Sequence, residues 1–312
     1  MSSHNVERVV QFKQVDVFTS VPFKGNPLAV IFDADGLSTE RMQEIARWTN
    51  LSEIAFLLPP TDPRADYRVR IFTTAVELPF AGHPTLGSAH ALIDAGYTPK
   101  TPGRLVQECG VGLVPLAERA GGEWAFAAPP ARITPLSAAQ SARLAAALAP
   151  AALDPEAPPA AVDNGAPWLV ARVRDAAQCL ALTLAGESRE AVRQIVEETG
   201  THGIVVYGPH APGGPATFEL RALLLGAENI EDPVTGSANA ALATLLTQQG
   251  KRPGAHYTVR QGTVLGRDGR VSVTYEDHEE DHEDDHEDNR DDGAPAWIGG
   301  HSVTVIDGNF RC

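Results

Sequence analysis

Two stretches constrain this chain more than any others: Phe80-Ala81-Gly82-His83-Pro84-Thr85-Leu86-Gly87-Ser88-Ala89-His90-Ala91-Leu92, and, far downstream, Asp232-Pro233-Val234-Thr235-Gly236-Ser237-Ala238-Asn239-Ala240-Ala241-Leu242. Aligned without a gap, they pair His83 with Asp232, Pro84 with Pro233, Gly87 with Gly236 and Ser88 with Ser237. Each reads as a helix start, because Pro is tolerated at the first helical position and Asp just before it is a good N-cap. Past the start neither helix carries a charged face, since Pro84 to Ile93 and Pro233 to Thr247 contain no Asp, Glu, Lys or Arg. A helix of that kind is buried all round. It therefore needs strands wrapped about it, and two such helices imply two similar domains.

The rest of the chain fits that demand. Its 312 residues make about two ordinary domains, and the 43% hydrophobic content is enough for real cores. No apolar run is long enough to span a bilayer, and Met-Ser-Ser-His-Asn-Val-Glu-Arg lacks the apolar core of a signal peptide, so a cytoplasmic protein is expected. Cys109, Cys179 and Cys312 are widely scattered and show no metal-ligand spacing, which points to reduced thiols rather than a disulfide framework. Of the net charge of -15, most comes from residues 276–292, EDHEEDHEDDHEDNRDD. No basic stripe with interleaved aromatics exists, which speaks against a nucleic-acid partner. Nothing in the sequence decides whether two chains pair as a homodimer.

In chain order, alternation and turn signals predict strands at Val9 to Phe18, Leu28 to Phe32, Ile54 to Leu58 and Tyr67 to Phe72, with a helix capped by Ser38 or Thr39 and ending near Asn50. Gly25-Asn26-Pro27 reads most simply as a turn, and its place near the N-terminus would let it edge a cleft between the domains. The first uncharged helix closes at Gly96, and strands follow at Leu105 to Cys109, Leu113 to Ala117 and Trp124 to Ala128. Pro129-Pro130 and the Ala/Pro-rich run Ala149 to Val162, flanking an alanine-rich helix at Ala138 to Ala149, read as the passage between domains. The second half repeats the order. Strands fall at Trp168 to Val173, Gly203 to Tyr207 and Phe218 to Leu225, with a helix at Arg189 to Thr199, then the second uncharged helix, then strands at His256 to Arg260, Arg270 to Tyr275 and Ser302 to Ile306. The expected fold is α+β, with two similar domains, each a β-barrel around a central buried helix. The domains are 1–130, whose last strand can come from the C-terminus, and 131–312, which carries the acidic loop at 276–292.

Three ordered motifs, Asn50-Leu51-Ser52-Glu53, Glu77-Leu78-Pro79-Phe80-Ala81-Gly82-His83-Pro84-Thr85 and Glu231-Asp232-Pro233-Val234-Thr235-Gly236-Ser237-Ala238, resemble those of the PhzF-like family of phenazine-biosynthesis proteins. The resemblance implies a cofactor-free isomerase, related in fold to diaminopimelate epimerase, with its active site between the domains. It further implies that Glu53 transfers the proton, that His83 and Asp232 line the site, and that Gly236 and Ser237 hold a substrate carboxylate, with Gly82 also substrate-binding. The chain departs from the family's usual pattern at Phe72-Thr73-Thr74 and at Arg221-Ala222-Leu223-Leu224-Leu225, positions expected to shape the pocket.

The chemistry also follows from the residues. Moving a proton between carbons next to a carboxylate needs a base that then becomes an acid, and a partly buried Glu with a raised pKa does both. Helix N-termini aimed at one cleft supply N–H groups and positive dipole ends for the carboxylate. No cofactor and no metal are assigned to the site. Taken singly, Glu53 reads as a surface acid, His83 as a turn or cap residue and Asp232 as an N-cap; their joint order favours the functional reading. His90 and His202 read as structural. Two alternatives are an amino-acid-type epimerase or racemase on the same fold, and a non-catalytic small-molecule-binding protein whose acidic loop binds metal through His278, His282 and His286. For that loop, charge density favours a solvated segment.

Overall fold

Among the described residues, eighteen strands and six α-helices follow one another in two rounds. The computed structural model describes residues 8–149, 151–226, 229–276 and 295–312, so the acidic loop, with His278, His282 and His286, lies outside the described residues apart from Glu276. The first round is β1 (Val9–Val17), β2 (Asn26–Ile31), α1 (Thr39–Thr49), β3 (Ile54–Leu58), β4 (Tyr67–Phe72), β5 (Glu77–Leu78), α2 (Gly82–Asp94), β6 (Arg104–Cys109), β7 (Gly112–Arg119) and β8 (Glu123–Ala127). The second is β9 (Arg132–Pro135), α3 (Ala138–Ala147), β10 (Ala160–Asp163), β11 (Trp168–Arg172), α4 (Ala176–Ala181), α5 (Gly186–Thr199), β12 (Gly203–Pro209), β13 (Phe218–Leu225), β14 (Asn229–Asp232), α6 (Gly236–Gln248), β15 (His256–Gln261), β16 (Gly269–Tyr275), β17 (Ala296–Gly300) and β18 (Ser302–Arg311).

The pairings repeat strand for strand. In the first half β1 is antiparallel to β2, β2 parallel to β3, β3 antiparallel to β4, and β4 carries β5 antiparallel and β6 parallel, followed by β7 and β8. In the second half β10, β11, β12, β13, β14, β15, β16 and β17 take the same places. The outer strand of each half is where the chain order breaks. β1 pairs on its free side with β18, the C-terminal strand, while β10 pairs with β9, which directly follows β8. Antiparallel bonds between β8 and β17 join the halves. Lys13, almost fully buried, ties the returning strand down by donating to Asp94 at the end of α2 and Asp307 on β18, both at 2.7 Å.

The fold is thus α+β, with each half wrapped around one uncharged helix. α2 packs against β1, β2, β3, β8 and β18, and α6 against β10, β11, β16 and β17. Leu86 on α2 and Leu242 and Leu246 on α6 are fully buried, each worth about 1.5–3 kcal/mol of transfer free energy. The Ala/Pro-rich stretch is more than a passage. It holds β10, and α3 before it packs its Leu144, Ala147 and Leu148 with Val192, Ile195 and Val196 of α5. Sequence reasoning missed β5, β9, β10, α4, β14 and β17. The acidic loop consequently lies between β16 and β17, not between β16 and β18.

The repeat itself needs a correction. The gapless alignment set Pro84 against Pro233, whereas α2 and α6 have the same length and start at Gly82 and Gly236, a shift of 154 residues. Their C-termini agree at that shift. Ala95, Gly96 and Tyr97 donate to Ala91, Ile93 and Leu92; Gln249, Gly250 and Lys251 donate to Leu245, Thr247 and Leu246. Upstream, Glu77-Leu78-Pro79 falls on Glu231-Asp232-Pro233, and Arg70 grips Glu77 through Nε and one terminal nitrogen, both at 2.7 Å, just as Arg221 grips Glu231 at 3.0 and 2.8 Å. Gly87, Ser88 and Ala89 therefore have no counterpart in Gly236, Ser237 and Ala238. Gly87 lies mid-helix where a Cβ would come within 2.6 Å of Leu28 and 2.8 Å of Val17, so it serves packing, whereas Gly236 opens α6.

Candidate active site

The two buried helices meet at their first residues. A Cβ on Gly82 would lie 3.1 Å from the Gly236 Cα and 2.9 Å from the Phe126 ring, so only glycine lets the two starts touch. Neither start has a side-chain cap. Ala81 has no donor or acceptor to offer, and the Thr235 hydroxyl is engaged elsewhere. Two uncapped helix N-termini at one seam leave N–H groups and positive dipole ends directed at the same place.

Asp232 is the last residue of β14 rather than the N-cap of α6, and Pro233 precedes the helix instead of opening it; Thr235 holds the cap position. The reason is that the Asp232 carboxylate is used sideways. It accepts from the Thr235 hydroxyl at 2.6 Å and from the Asn26 amide at 2.9 Å. Gln261 on β15 clamps the turn by donating to the Asp232 carbonyl at 3.1 Å and to Thr235 Oγ1 at 2.9 Å, and accepting from the Thr235 N–H at 3.0 Å.

Glu53 arrives from the other half. Asn50, in the left-handed conformation, ends α1, and the short turn after it places Glu53 immediately before β3. His83 is the second residue of α2, and its Nε2 lies 3.7 Å from Glu53 Oε2. Its Nδ1 lies 3.5 Å from Asn26 Nδ2. Glu53, His83, Asn26 and Asp232 thus run in one line across the seam. Gly82, Gly236 and Ser237 sit at the helix starts beside it. Ser237 Oγ accepts from the Trp168 indole at 3.0 Å, and the Ser237 carbonyl accepts from Asn164 at 2.9 Å.

Burial governs the charges. It raises the pKa of Glu53 above the ordinary carboxylate range, with a hydrogen bond from Ser52 opposing. Burial and then the neighbouring Glu53 push Asp232 up to about 6, against the pull of His83, Thr235 and Asn26. Burial pushes His83 down to about 4, with Asp232 acting in the other direction. At neutral pH His83 is therefore an uncharged imidazole beside two carboxyl groups whose pKa values burial has raised. This pattern marks functional sites.

The sign of the His83 shift has a measurable consequence. Its folded-state value lies below the 6.5 of an unperturbed histidine, so between pH 6.5 and about 4 the unfolded chain binds the proton more tightly and stability is lost as pH falls. The shift corresponds to about 3 kcal/mol over that window. In His83→Gln this contribution is absent, and urea unfolding should show a shallower loss of stability from pH 6.5 to 4 than in wild type. Parallel curves would overturn the assignment of a buried neutral imidazole.

Sequence reasoning missed Thr235, Gln261 and Trp168 as parts of the site and placed Asn26 only in a turn that could edge the cleft. One signal was present. Strand register equates Gly25-Asn26-Pro27-Leu28 with Gly165-Ala166-Pro167-Trp168, a Gly-x-Pro written at the same place in both halves. Two surface depressions, of about 470 Å³ beside Arg68, Pro79 and Cys109 and about 640 Å³ beside Arg172, His210 and Lys251, lie elsewhere. Neither is lined by Glu53, His83, Asn26 or Asp232; chemistry rather than cavity size marks the site. Among the described residues no cluster of His, Cys, Asp and Glu has the arrangement of a metal site, and no helix is long and apolar enough to cross a membrane.

Residues 15–308 match the family described as phenazine biosynthesis-like protein, PhzC-PhzF. Among curated relatives, antisense-enhancing sequence 1 of Schizosaccharomyces pombe is 39% identical over 82% of this chain and 87% of its own length. The uncharacterized isomerase mll1393 of Mesorhizobium japonicum is 32% identical over 94% of this chain and 96% of its own. The trans-2,3-dihydro-3-hydroxyanthranilate isomerase of Pseudomonas aeruginosa is 53% identical over a shorter region, 35% of this chain and 38% of its own. Of solved structures, a PhzF-family phenazine biosynthesis protein from Bacillus anthracis shares the fold, with a TM-score of 0.79, 23% identity and coverage of 97% of this chain and 99% of that one.

Proposed function

The chain belongs to the phenazine biosynthesis-like family, which includes isomerases, and we propose that it is a cofactor-independent isomerase moving a proton on a small carboxylate-bearing metabolite. The observation that carries this reading is the seam itself. A carboxylate with a raised pKa, Glu53, stands 3.7 Å from an uncharged His83 where two uncapped helices meet. The substrate carboxylate sits on the N–H groups at Gly82, Gly236 and Ser237. Glu53 takes a proton from a substrate carbon, the C–H electron pair enters the adjoining π system, and the Glu53 carboxylic acid delivers the proton to a second carbon. The composition of the substrate is unchanged. Asp232, pinned by Asn26 and Thr235, supports the charge that develops.

The test is proton movement. Incubated in deuterated water with a panel of small unsaturated carboxylates, the protein should convert at least one to an isomer of equal composition, and Glu53→Gln should not. Turnover of none of the panel, or equal turnover by Glu53→Gln, would overturn the reading. Ser237 provides a separate prediction. Its oxygen already accepts from Trp168, which leaves its O–H free to donate to the substrate carboxylate. Loss of a hydrogen bond to a charged group costs about 1.5–3 kcal/mol, so Ser237→Ala should raise KM by about 10- to 100-fold with kcat nearly unchanged. A fall in kcat at constant KM would place Ser237 in the chemical step instead.

A further inference from the structure

We propose that Asn26 is a positioning residue that fixes the tautomer of His83, so that the imidazole presents an N–H from Nε2 toward Glu53 and the substrate. The proposal rests on the site reading above only for its consequence in turnover.

The argument is one of counting donors. Asn26 is fully buried at the start of β2. Its Nδ2 lies 2.9 Å from Asp232 Oδ1 and 3.0 Å from the Val234 carbonyl oxygen. Both neighbours are acceptors, so the nitrogen of the amide must be on that side; the flipped amide would set oxygen against two oxygens. An amide nitrogen has two hydrogens, and these two contacts use both. The third neighbour, His83 Nδ1 at 3.5 Å, faces the positive edge of an N–H₂ group that has no lone pair to offer.

A proton on His83 Nδ1 would therefore point at a donor. Burial makes this serious, because His83 is 5% exposed and the repulsion between two N–H groups held face to face is not relieved by water there. A lone pair on Nδ1 is favoured at the same place. The neutral ring then carries its proton on Nε2, which among the described residues makes no hydrogen bond but faces a carboxylate oxygen, Glu53 Oε2 at 3.7 Å, rather than a donor. This divides the labour. His83 enters the reaction as a hydrogen-bond donor, and Glu53, facing it, is the group free to act as base.

The backbone around Asn26 is built to hold it there. Asp16, itself buried, accepts from the Gly25 N–H at 3.1 Å, and a Cβ on Gly25 would lie 2.1 Å from the Val17 carbonyl oxygen. The turn thus cannot relax without moving β1. Asn26 also reaches from one half to Asp232 and Val234 of the other, so the tautomer holds only while the seam is closed.

Nitrogen NMR of protein labelled with ¹⁵N in its histidine rings tests this without any substrate. The His83 signals are identified by their loss in His83→Gln. In wild type at pH 7 they should show Nε2 protonated and Nδ1 bare by at least about tenfold. In Asn26→Asp, a carboxylate oxygen replaces the N–H₂ edge, and the proton should move to Nδ1. In Asn26→Ala the preference should fall toward an even mixture. Where a substrate is in hand, Asn26→Asp should lower kcat at least tenfold with a smaller change in KM. Wild-type spectra with the proton on Nδ1, or an unchanged tautomer in a folded Asn26→Asp, would overturn the proposal. Absence of turnover in wild type would overturn the function proposed above while leaving the tautomer measurement valid.

Discussion

Turnover of Glu53→Gln is expected to fall by at least about 10² to 10⁴, the usual worth of a general acid or base, with little change in substrate binding. Glutamine keeps the size and much of the hydrogen bonding but has no proton to take or give. The structure adds a reason for so large an effect: His83 is held neutral by burial and Asp232 is engaged by Asn26 and Thr235. With its pKa pushed down to about 4, His83 is a weak base, and the Asp232 oxygens are already taken by two donors, so neither readily replaces Glu53 as the mobile base. Single-turnover and steady-state rates on a competent substrate measure the effect, with fluorescence or calorimetric titration for binding. Retained turnover would remove Glu53 from the chemistry, and no degree of solvent shielding could explain it. His83→Asn and Asp232→Asn should also lower kcat.

The second large effect concerns stability, and the internal repeat supplies its control. Arg221 is buried with Glu231, which it grips with two nitrogens, and its remaining terminal nitrogen donates to the carbonyls of Leu182 at 2.6 Å and Cys179 at 3.2 Å. Arg221→Leu leaves Glu231 without its partner in a largely buried place and takes the charged donor from two carbonyls, so it should destabilise the fold by about 3–5 kcal/mol. Arg70 and Glu77 form the same two-nitrogen pair at the matching place in the first half, but half-exposed. Arg70→Leu should therefore cost about 1 kcal/mol or less. Urea unfolding of the two variants against wild type reads the difference directly. Equal effects would mean that burial does not set the strength of these pairs. Because Glu231 precedes Asp232, Arg221→Leu should also depress turnover below what the folded fraction accounts for.

Much of this was legible from residues alone. The absence of charge along both helices was enough to bury them, since no solvent-facing side could be built from Pro84 to Ile93 or Pro233 to Thr247. The strands with alternating or wholly apolar patterns, such as Tyr67 to Phe72 and Ile54 to Leu58, fell where expected. The register of the repeat did not. Gly-Ser-Ala occurs twice because small residues serve two unrelated needs, close packing midway along α2 and close approach at the start of α6, and letters cannot distinguish them. The true repeat, Glu-x-Pro-x-x-Gly, was less conspicuous because its partner arginines lie upstream on other strands. For the same reason Asp232, good as an N-cap in a tripeptide, proved to be held by Asn26 from the opposite half. Asn26 showed in the sequence only as part of a turn that could edge the cleft and of a repeated Gly-x-Pro, because its role depends on which strand end the fold places opposite it.

The return of β18 to pair with β1 also sets a timetable for synthesis. β1 leaves the ribosome well before the strand that covers its far edge, which follows nearly 300 residues later. At about 5–20 residues per second that interval is roughly 15 to 60 s, far longer than the elementary steps of strand pairing. Throughout it the first half holds an uncovered strand edge and a buried lysine lacking Asp307, one of its two acidic partners. The second half has no such delay, since β9 emerges before the strand it covers. The nascent chain is thus most exposed to unwanted pairing at β1, and the ion pair of Lys13 with Asp307 is the latch that ends the wait.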